Sequence, residues 1–596
     1  MTSEKIIAWI KKDLVKKTIG VIILYLAVSI CIHAYLFRSE DVIIWDIKSY
    51  YSYLPATFIY FDLSLDFVYE VPGKFADYIW PMETPTGKKA IETTYGMAFL
   101  YTPFFLVGHL VALLTDFETH GYSRPYQLAM HFSALFYVWI GLLYLWKVLR
   151  RYFNDRVTAF TLFAVALGTN LFYYTTVEAP MTHAFSFGLF AVFLWRTIVF
   201  YDHPTIKNIL VSGALAGLIA LIRPTNIIIL LVFFLWDIKT RTDLMERLRF
   251  FTGKAHWVLL MASVFVLVWV PQFIYWYNVS GQIFFFTYGE RGASFFFGNP
   301  QICNILFSYK KGWLVYTPLM VFALAGIFLL PRRVPGAFPA ILIFTIINIY
   351  ILASWWSWWF GGGFGLRSFI DSYALLAIPF ACFVDMGLRR PAWPRWIILV
   401  VMVVLIGYNQ FQTRQYINNA IHWWWMNKEA YWETFLKRHP TERFWHVITI
   451  PDYEAARKGV YRELKSPGAV RHLAENQDAL SWHEPLSEQD IITWITGKLW
   501  LDNDWQHRLS PELFYRYGAD TLTVARVKAS WMYDEKGFDY WDKRISKELI
   551  IRELKSDTLF MEKVIRPQAE DGRLSADSLL LIYATERFCQ TREECP

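Results

Sequence analysis

Apolar runs of about 15 to 22 residues recur along residues 19–412, long enough to cross a bilayer when tilted or bundled. A chain built this way must satisfy its backbone within each crossing segment. Helices do that, and open sheets do not. Over its 596 residues the chain is 55% hydrophobic and only 18% charged, which excludes an ordinary soluble enzyme of this size. Residues 413–596 are different: charged, with scattered tryptophans and no spanning run. The fold class expected is therefore an all-α polytopic membrane protein, residues 1–412, followed by a mostly helical extramembrane domain, residues 413–596.

Positive charge orients the spans. Lys11, Lys12, Lys16 and Lys17 precede the first run, which reads as a signal anchor with a cytoplasmic N-terminus. Basic clusters at Lys147/Arg150/Arg151/Arg156, Lys239/Arg241/Arg247/Arg249/Lys254, Arg332/Arg333 and Arg389/Arg390/Arg395 are all expected on the cytoplasmic side. That pattern demotes residues 96–115 to an interfacial or re-entrant helix inside a large outer loop, 38–126. His109 and Pro103 favour the demotion. About eleven spans remain: 19–37, 127–148, 157–175, 182–201, 208–222, 225–236, 256–277, 313–330, 337–355, 371–387 and 396–412. An odd count puts the C-terminal domain outside. The net charge of +7 reflects cytoplasmic anchors, and no soluble basic tract points to nucleic acid.

Of five cysteines, Cys31 and Cys382 fall in spans and read as packing residues. Cys589 and Cys595 close the tail, where an oxidising compartment makes a small disulfide loop plausible. Zinc would need partner ligands that are not nearby. No phosphate-binding loop or dinucleotide fingerprint stands in a strand-turn-helix context. No motif calls for a cofactor, and a divalent cation stays open.

With this topology the unusual residues gather on the outer side. Asp46 lies in the run WDIKSYY at 45–51, just past the first span, with Lys48, Tyr50 and Tyr51 beside it and Asp41 and Asp62 nearby. A charge at a bilayer surface is costly unless paired or wet, which makes it a site candidate. Lys88, Lys89 and Glu92 follow in the same loop. The later outer turns hold Glu178 and His183, then Arg223, then Arg291, then Lys310 and Lys311. The last is SWWSWWFGGGFGLRSFID at 354–371, with Trp358, Gly361, Gly362, Gly363, Gly365 and Arg367. An aromatic belt explains its tryptophans. It does not explain glycines next to an arginine, which suit a backbone approached by a phosphate. Lys310 and Lys311 read as cations snorkelling to lipid headgroups.

Carboxylates, cations and aromatics on one membrane face are what sugar transfer from a lipid phosphate requires. A carboxylate can take the acceptor proton. Cations can hold the leaving phosphate. The four stretches at 45–56, 96–115, 170–187 and 358–371 resemble the GT-C superfamily of polytopic glycosyltransferases, close to the protein O-mannosyltransferase and aminoarabinose transferase type. The resemblance covers roughly residues 1–412. It implies a GT-C-like bundle of about eleven helices with a large first outer loop, and a polyprenyl-phosphate-sugar donor. Asp46 would be the catalytic base, and Arg367, Arg223, Arg291 and Lys88 the donor-phosphate ligands. Glu178, His183, Tyr50, Tyr51 and Trp358 would line the pocket. Acceptors so implied are a glycan, lipid or protein, at the outer face of a bacterial-type inner membrane with the C-terminal domain periplasmic. The lysine-proline-proline signature of some members is absent, and no acidic pair adjoins Asp46. A GT-C ligase or polymerase of lipid-linked glycans, and a lipid or solute transporter, are the alternatives.

Overall fold

In a computed structural model, the protein is described over residues 41–70, 78–289, 292–464, 485–502, 521–570 and 574–592, with the single residues 470 and 505. The expected first span, Arg291, Cys31 and Cys595 lie outside them. The chain forms two compact units, Met1–Trp424 and Trp425–Pro596.

The first unit is a helical bundle, as expected of a polytopic membrane protein. Among the described residues, seven helices are long and apolar enough to cross a membrane by length and composition: Gly96–Leu113, Arg124–Tyr152, Thr182–Asp202, Ala255–Ser280, Pro335–Ser354, Arg367–Leu388 and Ala392–Ile417. Burial ranks them. Arg367–Leu388 has 89% of its apolar window inside the protein, whereas Ala255–Ser280 has 17%. The first is the central helix and the second presents its apolar surface outward, as lipid contact demands. The shorter helix Ile206–Ile222 packs on Ala255–Ser280 through Gly213 and Gly217, one turn apart. A Cβ at these positions would stand 2.5 Å from the Met261 carbonyl and 2.9 Å from that of Phe265. Small residues at this spacing let two helix backbones touch.

Several expected spans take a different form. Residues 157–175 break into Asp155–Leu167 and Leu171–Thr176 after Gly168. Residues 313–330 break into Trp313–Tyr316 and Met320–Ile327. Pro318 lies in that gap, and proline disfavours helix in the residue before it. Residues 225–236 become a 3-10 turn, Pro224–Ile228, and a short helix, Ile229–Leu235. Gly96–Leu113, which the charge pattern places at the surface, is a continuous 18-residue helix through Pro103. By length and composition it is as fit to cross as its six counterparts.

Among its described residues the second unit is mostly helical, with one two-stranded pair, Ile450–Pro451 with Glu463–Leu464. Ser487 caps the helix Glu488–Trp500, its side chain accepting from the Asp490 N–H. Residues 523–556 form two helices, Thr521–Lys536 and Phe538–Ser556, parted at Gly537 with φ 78°. Their apolar faces close a core around Ile491, Ile495, Trp541, Ile545 and Phe588. Cys589 is disulfide-bonded. Cys382 is buried with a free thiol, in keeping with a packing role.

Candidate active site

Asp46 opens the helix Asp46–Phe58. A carboxylate in the first turn suits the positive end of the helix dipole. Its Oδ2 lies 2.8 Å from Nη2 of Arg367. The two side chains differ in access: Asp46 is 53% exposed and Arg367 15%. The acid is therefore reachable by a substrate while the cation behind it is set in the protein.

The Gly-rich segment holds Arg367 in place. Gly361, Gly363 and Gly365 all have positive φ, at 66°, 138° and 60°. Gly363 has a second reason to lack a side chain, since a Cβ there would stand 2.4 Å from Tyr174 Oη. The same hydroxyl accepts from the Phe364 N–H at 2.9 Å, and Asn170 Nδ2 donates to the Phe364 carbonyl at 3.2 Å. The segment is thus tied down to residues 170–174. Lys311 clamps its other side, donating to the carbonyls of Gly363 and Trp423. Lys310 and Lys311 are 3% and 2% exposed. They do not snorkel to headgroups as the sequence suggests; Lys311 is a buried lysine that joins two loops. Trp423 likewise belongs to the first unit.

Glu178 is partly buried and accepts a hydrogen bond from Tyr173 Oη at 3.1 Å. Burial raises its pKa above the usual carboxylate value, and the charge of Arg367 opposes that rise. Tyr50 is pushed up to about 12, by burial first and then by the charge of Asp46. It remains a neutral phenol at physiological pH. Burial and the Arg367 charge hold the Lys311 ammonium below its ordinary range.

A second network adjoins the first. Asp371, 4% exposed, accepts from Arg223 Nη1 at 2.9 Å and from Asn226 Nδ2 at 2.8 Å, and His183 Nδ1 lies 3.1 Å from its other oxygen. The His183 ring packs edge-on to Tyr174 at 5.5 Å, so one tyrosine touches both networks. Arg223 is present at the site, with its charge balanced by Asp371 on the central helix. Asp371 ends the Gly-rich segment, and the sequence by itself assigns it no role. Its spacing of four from Arg367 is the signal that could have found it.

Other candidates fall elsewhere. Tyr51 is fully buried, donates its hydroxyl to the Gly121 carbonyl and packs on Phe105 and Tyr122. It is a packing residue and does not line an open pocket. Lys88 lies on a hairpin, Met82–Glu83 with Lys89–Ala90, and donates to the Asn278 carbonyl at 2.8 Å, where it caps the end of Ala255–Ser280. Asp62 accepts from the N–H groups of Ser64, Asp66 and Phe67, which makes it a local loop cap and not a second acid beside Asp46. Trp358 is 4% exposed, edge-on to Trp359. Among the described residues no group of three or more His, Cys, Asp or Glu is placed to hold a metal.

No family model and no curated protein matches the chain. Solved structures do show likeness. One is the apo oligosaccharyltransferase of Archaeoglobus fulgidus, at 13% identity and a TM-score of 0.41, over 67% of this chain and 56% of that one. Its complex with zinc and sulfate aligns at 13% identity and 0.39, over 71% and 57%. The chain thus spans little more than half the length of that protein. Another is ArnT of Cupriavidus metallidurans bound to undecaprenyl phosphate, at 14% identity and 0.42, over 90% of this chain and 81% of that one. At these scores the likeness carries no functional argument, and the function must come from the site itself.

Proposed function

We propose that the chain is an integral-membrane glycosyltransferase of GT-C type that moves a sugar from a polyprenyl-phosphate donor to an acceptor at the outer face of a bacterial-type inner membrane. One observation carries this reading: a half-exposed carboxylate, Asp46, held 2.8 Å from an arginine seated in a Gly-rich loop. That pairs a proton acceptor with an anion holder at a surface a substrate can reach.

The step is a single displacement. The acceptor hydroxyl gives its proton to Asp46, and its oxygen attacks the anomeric carbon. The bond from that carbon to the phosphate oxygen breaks, and the lipid phosphate leaves with the electron pair. Arg367 pairs with Asp46 and offers further N–H groups to the phosphate. Arg223, balanced by Asp371, supports the local field and orients His183. Tyr50, as a neutral phenol, and Glu178, held by Tyr173, would line the pocket beside this pair. Preorganised dipoles of this kind act most strongly where water is excluded.

The test is a mass comparison of glycolipids and glycoproteins from cells carrying the natural protein or Asp46→Asn at equal expression. Loss of one sugar-sized adduct with accumulation of a polyprenyl-phosphate donor supports the reading. Identical pools reject it. Transport of lipid or solute in vesicles without sugar transfer would favour a transporter instead.

A further inference from the structure

Trp45 sits in an unusual backbone. Its φ is 48° and its ψ −133°, a region that bulky residues avoid and that persists only where the surroundings over-determine it. The turn does not bury the ring. Trp45 is 49% exposed and directly precedes Asp46. A strained turn that leaves a tryptophan in the open gives the fold little, so its value must lie in where the ring stands.

The ring is backed by a rigid support. Trp45 stacks on Trp423 with centroids 5.9 Å apart and planes 25° off parallel. Trp423 is fixed from several sides. Its carbonyl accepts from the Gly363 N–H at 3.1 Å and from Lys311 Nζ at 2.6 Å. Gly362 lies so close that a Cβ would stand 2.6 Å from Trp423 Cε3. The His422 ring stacks on Trp423 at 5.6 Å. The loop that seats Arg367 therefore also sets Trp423, and through it the plane of Trp45. Carboxylate, cation and aromatic face share one scaffold.

Sugar rings present C–H groups polarised by neighbouring oxygens, and these pack on the electron-rich face of an aromatic. Stacking fixes the plane of the ring and leaves its edge hydroxyls to other partners. We propose that Trp45, backed by Trp423, is the platform on which the ring of the transferred sugar stacks beside Asp46. This rests on the transferase reading above and adds where the sugar of the donor lies.

The experiment measures binding to the full chain in lipid nanodiscs. The probes are bare undecaprenyl phosphate and undecaprenyl-phosphate glucose, galactose, mannose and N-acetylglucosamine. The natural protein should bind at least one sugar-bearing lipid roughly tenfold tighter than the bare lipid, the scale of one good aromatic contact. Trp45→Ala should bring that ratio to within about twofold while leaving bare-lipid affinity unchanged. Trp45→Gly, which also relieves the backbone, should match it, and Trp45→Phe should keep most of the preference. The platform is overturned if no sugar improves binding, if Trp45→Ala leaves the ratio intact or weakens all the lipids alike, or if Trp45→Phe drops to the alanine level. These outcomes leave the transferase reading standing so long as Asp46→Asn abolishes transfer. Failure of the natural protein to bind any polyprenyl phosphate brings down both.

Discussion

Replacing Asp46 by asparagine should separate chemistry from folding. At 2.8 Å, two unit charges attract by about 6 kcal/mol at an effective dielectric near 20, an upper bound. Asp46 is 53% exposed, so water and salt screen most of that. Exposed pairs measure about 0.2–1 kcal/mol. Asparagine keeps the shape and can still accept from Arg367, so stability should fall by no more than about 1 kcal/mol, a few degrees at most in Tm. The chemistry should suffer far more. A positioned general base is worth about 10²–10⁴ in rate, or about 3–5 kcal/mol of barrier. The assay is transfer in membranes at matched expression, with thermal unfolding of the purified variant alongside. Retention of more than a tenth of the natural rate would refute Asp46 as the base. A loss of activity accompanied by a large fall in Tm would also refute the reasoning, because it would make the pair a structural one.

Four further outcomes can be checked. Lys311→Met should lower stability by about 2 kcal/mol, because it takes the ammonium donor from the Gly363 carbonyl and one of two donors from the Trp423 carbonyl; thermal unfolding reads this, and a blue or red shift of tryptophan emission reports Trp423. Gly363→Ala should reduce both stability and transfer, since φ of 138° and a Cβ 2.4 Å from Tyr174 Oη force the loop to move, and a Tm equal to that of the natural protein would contradict it. Glu178 has a raised pKa in the folded state, so its ionisation lowers stability as pH rises through that value. Glu178→Gln should then be more stable than the natural protein at pH 7, with the two converging below about pH 4, as Tm against pH will show. Direct displacement should invert the anomeric configuration, and proton NMR of the product would reject the single step if it showed retention.

The membrane bundle was legible because its cause is local. A run of apolar residues has few ways to satisfy its backbone in lipid, so segments such as 182–201 and 256–277 matched Thr182–Asp202 and Ala255–Ser280 closely. Breaks were less legible. Hydropathy sees the apolar total across 313–330 and overlooks the backbone effect of Pro318 within it. In the site, Asp46 and Arg367 were readable because each is a charge out of place in its surroundings. Their pairing was not, since 321 residues separate them and only the fold brings them together. Lys311 shows the limit most clearly. In sequence, a lysine pair before an apolar run has the pattern of a headgroup anchor, and Tyr51 beside Tyr50 has the pattern of a pocket lining. Burial reverses both, and burial depends on which distant loop covers a side chain.

Taken together, these contacts suggest why the conspicuous glycines and the inconspicuous lysine belong to one device. An arginine proposed to meet a phosphate and seen to hold a carboxylate needs a fixed base, or its flexible side chain will collapse onto the nearest acid. Glu178 and Asp46 are both within reach of its charge. The positive-φ glycines let the backbone fold tightly around Tyr174, and Lys311 locks that fold to Trp423. With the loop held on both sides, Arg367 faces the more exposed of the two acids, the one a substrate can reach. If that is the purpose of the clamp, Lys311→Met should shift Arg367 toward Glu178 and lower transfer beyond what its loss of stability accounts for. Adding Glu178→Gln to that variant should restore part of the rate by removing the competing carboxylate. No recovery in the double variant would mean that Lys311 holds the loop for its fold alone.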